Sequence, residues 1–225
     1  MSSGKRLESP VVDEDVVVDA SLPSKRAGVG WGLFAWILSW IGIAAVGAYH
    51  VLANDIEDPI EAIEFALEGY VGFSFQGLAQ QYDIAEPGVM EILIWAFYSA
   101  HGVALNVDID EQSVPIDILE AWTVVLETSE LTYLATPAVI LFFCGFLLAR
   151  STGVRSPEDG AKAGAFVALG YTTLFLLLYP LATMSDPAGT VSVGPDLFDL
   201  VLRGVGYPVL AGGIGGALAG YATGE

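Results

Sequence analysis

The side chains that could do chemistry in an apolar setting are few: His50, Glu91, His101, Glu130 and Arg203. Neutral imidazole and ionised carboxylate are ligands for zinc-like ions, so His50, His101 and Glu91 brought together would begin a metal site. Their spacing matches no ligand motif such as HExxH. The run "DIDEQS" at 108–113 has the alternating oxygens that open a calcium loop, but lacks that loop's central glycine and closing glutamate. No Ser-His-Asp or Cys-His arrangement is present, and the glycine-rich "GVGYPVLAGGIGGALAG" has no Lys-Ser/Thr after it to hold a phosphate. These residues point to no enzyme and no cofactor. Arg203 follows Asp199 by four positions, which predicts an ion pair along one helix.

The elements that must carry these residues are long apolar blocks. Val29–Val51, Leu131–Ala149, Ala163–Ser185 and Gly204–Gly224 contain no Asp, Glu, Lys or Arg. Each approaches or exceeds the roughly 20 residues that span a hydrocarbon core. An integral membrane protein is expected, with the lipid bilayer as its first partner. Cys144 is the only cysteine, so no intrachain disulfide can form, and at mid-block it reads as a small hydrophobe.

Charge is lopsided: 27 acidic residues against 8 basic ones, a formal net charge of −19. At molar salt the screening length falls to about 3 Å, so dispersed carboxylates hydrate the surface without repelling one another. This reads as a halophile's protein; an acidic patch for a cationic partner is the alternative. Nucleic-acid binding is excluded by the lack of a basic stripe.

The few cations set the sidedness. No Lys or Arg lies between Arg26 and Arg150. Basic residues near span ends mark the cytoplasmic face, so Lys25-Arg26 and the Arg150/Arg155/Lys162 loop both belong inside. Two inside points require an even number of crossings between them. Ile92–Leu105, "ILIWAFYSAHGVAL", is therefore an interfacial or re-entrant helix, with a fifth span as the competing reading.

The expected fold is an all-α polytopic membrane bundle of four spanning helices plus an external helical cap. Residues 1–27 form a disordered acidic cytoplasmic tail and 28–52 the first span. Residues 53–128 form the external acidic cap, with its interfacial helix at 89–105. The second span is 129–150, followed by a basic cytoplasmic loop at 151–160 and the third span at 161–185. An external loop covers 186–198 and the last span 199–223, leaving both termini in the cytoplasm. Inside the cap, Ile56, Ile60, Ile63 and Leu67 alternate with Glu57, Glu61, Glu64 and Glu68 as an amphipathic helix. Ser113 is a candidate N-cap, with Pro115 just inside a second helix carrying Ile116, Leu119, Trp122 and Leu126.

Gly212, Gly216 and Gly220 recur every four residues, a spacing that lets helix backbones approach closely. They read as helix packing within the bundle or as the seam of a homo-oligomer. Pro137, Pro180 and Pro208 put one proline in each of the last three blocks, either as kinks for a transport site or as ordinary membrane-helix prolines. His50, Glu91, His101, Glu130 and Arg203 are placed at or near the outer boundary.

The blocks "WAFYSAHGVAL", "LTYLATPAVILFFCGFLLAR" and "YPVLAGGIGGALAG" resemble uncharacterised multi-pass membrane proteins of haloarchaea, whose members are sometimes loosely labelled transporters. The resemblance covers roughly residues 90–222 and implies a location and a fold type, with no site residues to carry over. Two functions are expected: a non-catalytic envelope or accessory subunit whose external cap meets a partner outside the cell, with another membrane protein or a second copy as candidates, or a small transporter or channel-like subunit. Only Tyr171, Thr172, Thr173, Tyr179 and Tyr207 are available to line a path through the bundle, which favours the first.

Overall fold

The computed structural model describes residues 25–58, 61, 74–110, 112–125 and 128–224. Four helical segments are long and apolar enough to cross a membrane: α1 (Lys25–Ala53), α5 (Glu130–Ser151), the pair α6 (Pro157–Ala165) and α7 (Ala168–Leu177) continued by a 3₁₀ turn at Tyr179–Leu181, and α8 (Leu197–Thr223). Between α1 and α5 lie the short helices α2 (Phe75–Tyr82), α3 (Val89–Ser99) and α4 (Ile118–Val125), and strands β1 (Leu105–Ile109) and β2 (Gln112–Ile116). Strands β3 (Met184–Ser185) and β4 (Val191–Pro195) precede α8. The class is predominantly helical, with one small sheet.

The long helices are built inside out relative to a soluble bundle. Phe34, Ile41, Phe143, Leu147, Leu210 and Ile214 are exposed on their outer faces. Their inner faces carry small residues, because two apolar surfaces in a like medium gain by close backbone contact. A Cβ added to Gly145 would meet Gly212 Cα at 2.6 Å, and one on Gly164 would meet Gly216 Cα at 2.8 Å. α8 therefore runs antiparallel to both α5 and α6. Across the bundle, Gly28 abuts Phe166, and Gly32 abuts Gly170 and Tyr171, so α1 and α6–α7 run parallel. These directions bring Lys25, Arg26, Arg150, Arg155 and Lys162 to one end. The short helices and the sheet occupy the other.

The sheet has the order β2-β1-β4-β3, antiparallel throughout, with Leu105 opposite Ile116 on one side and Pro195 on the other. It adds strands to the region expected to form a helical cap, while the class stays predominantly helical. Ser113 and Pro115 are strand residues, and the helix expected after Ser113 starts at Ile118. Its cap is Asp117, whose Oδ1 accepts from the backbone N–H of Leu119 at 2.9 Å. Each strand has at most five residues, and β1 finds β4 more than 80 positions away. Local periodicity carries too little signal for such a pairing.

Other boundaries shift for local reasons. The interfacial helix expected over 89–105 ends at Ser99, and the chain turns through Gly102 at φ +75°. The third span starts at Pro157 rather than 161, because Ser156 Oγ accepts from Asp159 N–H and Pro157 suits the first turn. It ends by Leu181, and the expected external loop over 186–198 contains β4 and the first residues of α8. Asp186 closes the β3–β4 turn: its carboxylate accepts from Val191 N–H at 2.8 Å, from Ala188 N–H and from Thr190 Oγ1, which together hold its pKa below the ordinary value. Helix α2, capped by Ser74 and by Asp83 in the left-handed region, was not expected from sequence. Residues 1–24 of the tail and most of the amphipathic helix expected after Ile56, including Ile60, Ile63 and Leu67, lie outside the described residues.

Candidate functional site

Helix α3 is the element that places chemistry inside the bundle. Its eleven residues extend about 16 Å, too little to cross a membrane. It descends alongside α7 instead. Trp95 Nε1 donates to Ala182 O at 2.8 Å, Tyr98 Oη donates to Phe175 O at 2.8 Å, and His101 Nε2 lies 2.6 Å from Tyr171 Oη. These three contacts step inward along the third span, so the short helix dips into the bundle. Its lower end is sealed by rings: Phe97 stacks on Trp40 with centroids 5.0 Å apart, and His101 lies edge-on to Phe175 and Tyr207.

His101 therefore sits at the level of Tyr171 and Tyr207, well inside the bundle, which corrects its placement at the outer boundary. The ring is 1% exposed. Phe97 O can only accept, so Nδ1–H donates to it at 2.7 Å, and in the neutral ring Nε2 accepts from Tyr171 O–H. Burial holds the imidazole pKa below its ordinary value, although the Phe97 carbonyl pulls the other way. A neutral, doubly hydrogen-bonded histidine follows.

The other candidates are not gathered around it. His50 shares a 3.1 Å hydrogen bond with Thr128 Oγ1 at the far end of α1. Glu91 folds back over Gly88 in the first turn of α3. Arg203 pairs with Asp199, Nε to Oδ1 at 3.0 Å, and its guanidinium covers Gly102. Glu130, exposed, opens α5. Among the described residues no three His, Cys, Asp or Glu side chains stand close enough to share a metal ion. Gly212, Gly216 and Gly220 are buried against α5, α6 and the Ser156–Pro157 turn of the same chain. A second glycine seam, Gly28 and Gly32 against Phe166 and Gly170, was not anticipated, because its residues are split between blocks about 140 positions apart.

The feature sequence reasoning missed is a cavity of about 280 Å³ between α1, α3, α4 and α5. Its walls include Trp40, Ile43, Gly47, Ile92, Trp122 and Tyr133. The described lining is almost wholly apolar, yet the indole N–H groups of Trp40 and Trp122 and the Tyr133 hydroxyl are buried without hydrogen-bond partners among the described residues. The Trp122 and Tyr133 rings meet edge to face with centroids 6.5 Å apart, and no hydrogen bond joins the indole N–H to the hydroxyl. Leaving such a group unmade costs about 1–3 kcal/mol each. An aromatic with one polar tip in an apolar block is visible in a sequence; whether that tip finds a partner is not.

The profile of a family of unknown function, DUF7978, matches residues 18–223. The chain belongs to that family. The match takes in every element described above, so the inward-dipping α3, the glycine seams and the cavity of this DUF7978 chain all lie within the family's span. No curated protein and no solved structure matches it.

Proposed function

We propose that this DUF7978 chain is a non-catalytic integral protein of a haloarchaeal cell membrane, with both termini cytoplasmic, that acts as an accessory subunit. Its partner, another membrane protein or a second copy of the chain, is met through the acidic layer formed by α2, α4 and the sheet. The basic end of the bundle supports this orientation, because Lys and Arg collect on the cytoplasmic side. The opposite layer exposes Asp55, Asp83, Glu86, Asp108, Asp110 and Asp117, with no Lys or Arg between Arg26 and Arg150.

One observation carries the choice of accessory subunit over conduit. Four of the five hydroxyls available to line a path are already bound to other protein groups. Thr172 Oγ1 donates to Gly204 O at 2.6 Å, Tyr207 Oη donates to Leu134 O at 2.5 Å, Thr173 Oγ1 donates to Leu169 O, and Tyr171 is bound to His101. The reading of a small transporter or channel-like subunit is favoured by one feature, the titratable His101 ring deep in the bundle, but both its nitrogens are engaged.

Purified protein in proteoliposomes at molar salt is expected to give ion and solute flux no greater than empty vesicles. Selective flux that is lost in His101→Gln would reverse the order of the two readings. For orientation, cysteines placed at exposed Gln81 and Gln112 in a Cys144→Ser background should react with an impermeant reagent in whole cells, and one at Glu158 should not. The opposite pattern would invert the orientation.

A further inference from the structure

We infer that the cavity between α1, α3, α4 and α5 is a binding site for a lipophilic molecule bearing a carbonyl oxygen, with Trp122 and Tyr133 as its hydrogen-bond donors. Both side chains are more than nine-tenths buried, at 8% and 1% exposure, and both line the cavity. Neither Trp122 Nε1 nor Tyr133 Oη has a hydrogen-bond partner among the described residues. The Tyr133 hydroxyl reaches across to the wall at Gly47, 4.0 Å from where a Cβ there would stand, and Trp122 Cζ2 lies at 3.5 Å from the same point. The two groups thus bracket one region of the cavity, which a glycine keeps open.

The chemistry selects the ligand. An indole N–H can only donate, and a phenol donates readily, so the site asks for an acceptor. With no charged group among the described lining residues, an anion would find no ionic partner there, whereas a neutral carbonyl takes two hydrogen bonds without that penalty. The remaining wall of Ile43, Val51, Ile92, Leu93 and Ala96 takes an apolar body, and the flat faces of Trp40, Trp122 and Tyr133 suit a ring. A cavity of about 280 Å³ holds a ring head or a short chain segment, not a whole two-chain lipid. Its mouth lies where Ala44, Ala48 and Val89 are exposed on the apolar flank of α1 and α3. Arrival from the bilayer rests on the membrane placement proposed above; binding itself does not.

Ring ketones of the quinone type and esters of membrane lipids share this carbonyl chemistry, and the experiment separates them. Detergent-solubilised full-length protein in molar salt is dialysed to equilibrium against labelled decyl-benzoquinone, methyl laurate or decane. Saturable one-to-one binding of a carbonyl probe is expected, weakened about tenfold by Tyr133→Phe or Trp122→Phe, the loss of one hydrogen bond. Gly47→Leu, which fills the cavity, is expected to abolish it. Binding of the quinone alone places the ligand among ring ketones, and binding of the ester alone among membrane esters; binding of both supports the shared carbonyl. Failure of both carbonyl probes to bind saturably, equal binding of decane, or unchanged affinity in Tyr133→Phe would overturn the site. Tyr133→Phe keeps the ring and its packing, so its result stands even where Gly47→Leu fails to fold. Each of these outcomes is independent of whether vesicles show flux.

Discussion

Thr172 Oγ1 donates its proton to Gly204 O, the carbonyl that Pro208 leaves without an intrahelical partner. Proline at position 208 has no N–H to return to residue 204, and a bare carbonyl in an apolar setting is costly. The neighbouring helix supplies the missing donor at 2.6 Å. A second interhelical hydroxyl bond lies next to Pro137: Tyr207 Oη donates to Leu134 O. At Pro208 the interhelical bond therefore satisfies the carbonyl that the proline frees, which explains how α8 stays continuous through it.

Thr172→Val is accordingly expected to cost about 1 kcal/mol. In a Pro208→Ala background, residue 208 regains an N–H for Gly204 O, and the cost should shrink. A double-mutant cycle on thermal or denaturant unfolding reads the coupling. Additivity within about 0.3 kcal/mol would remove this account of the proline.

The glycine seam makes a prediction about position rather than composition. A Cβ on Gly216 would stand 2.8 Å from Gly164 Cα, a backbone atom that cannot yield, while a Cβ on Gly206 would meet nothing within 4 Å. Gly216→Ala should destabilise by about 1–3 kcal/mol or shift α6 from α8. Gly206→Ala, on the same helix, should be neutral or stabilising by up to about 1 kcal/mol. Equal melting temperatures for the two variants would show that the seam is not where the bundle is held. An unchanged monomer with lowered stability in Gly216→Ala is the result expected of intrachain packing; a loss of oligomer with stability intact is not.

His101 sets a pH dependence. Its pKa is depressed in the folded protein relative to the unfolded chain, so the unfolded state binds more protons as pH falls. The stabilisation is complete above the ordinary imidazole value, about 6.5, and fades as pH drops below it toward the lower folded value. The melting temperature of the wild type should fall between pH 7 and pH 5. His101→Gln should be less stable at pH 7 and flatter across that interval. Parallel profiles for the two proteins would exclude His101 as the source of the slope.

How much of this was written in the chain can be judged element by element. The charge-free blocks fixed four span-length helices, because twenty apolar residues in a row have few other solutions. The four-residue spacing of Gly212, Gly216 and Gly220 announces a close helix contact, and the shortness of Ile92–Leu105 argues against a span. Where β1 would find β4 could not be read, since five-residue strands carry little periodicity and their pairing is non-local. His101 was assigned to the rim because hydropathy ranks residues along the chain, whereas depth depends on α3 turning inward beside α7.

Composition and order along the chain by themselves determined a helical bundle suited to a bilayer, the end that gathers the cations, and which residues were small enough to pack. Only the tertiary structure decided partners: Gly216 with Gly164, His101 with Tyr171, Thr172 with Gly204 O, and, among the described residues, none for the polar tips of Trp122 and Tyr133. The physical reason is that hydrophobic transfer depends on each residue's own surface and is nearly additive along a sequence. Hydrogen bonds and close contacts depend on which two groups meet, and that is fixed only when distant segments are brought together.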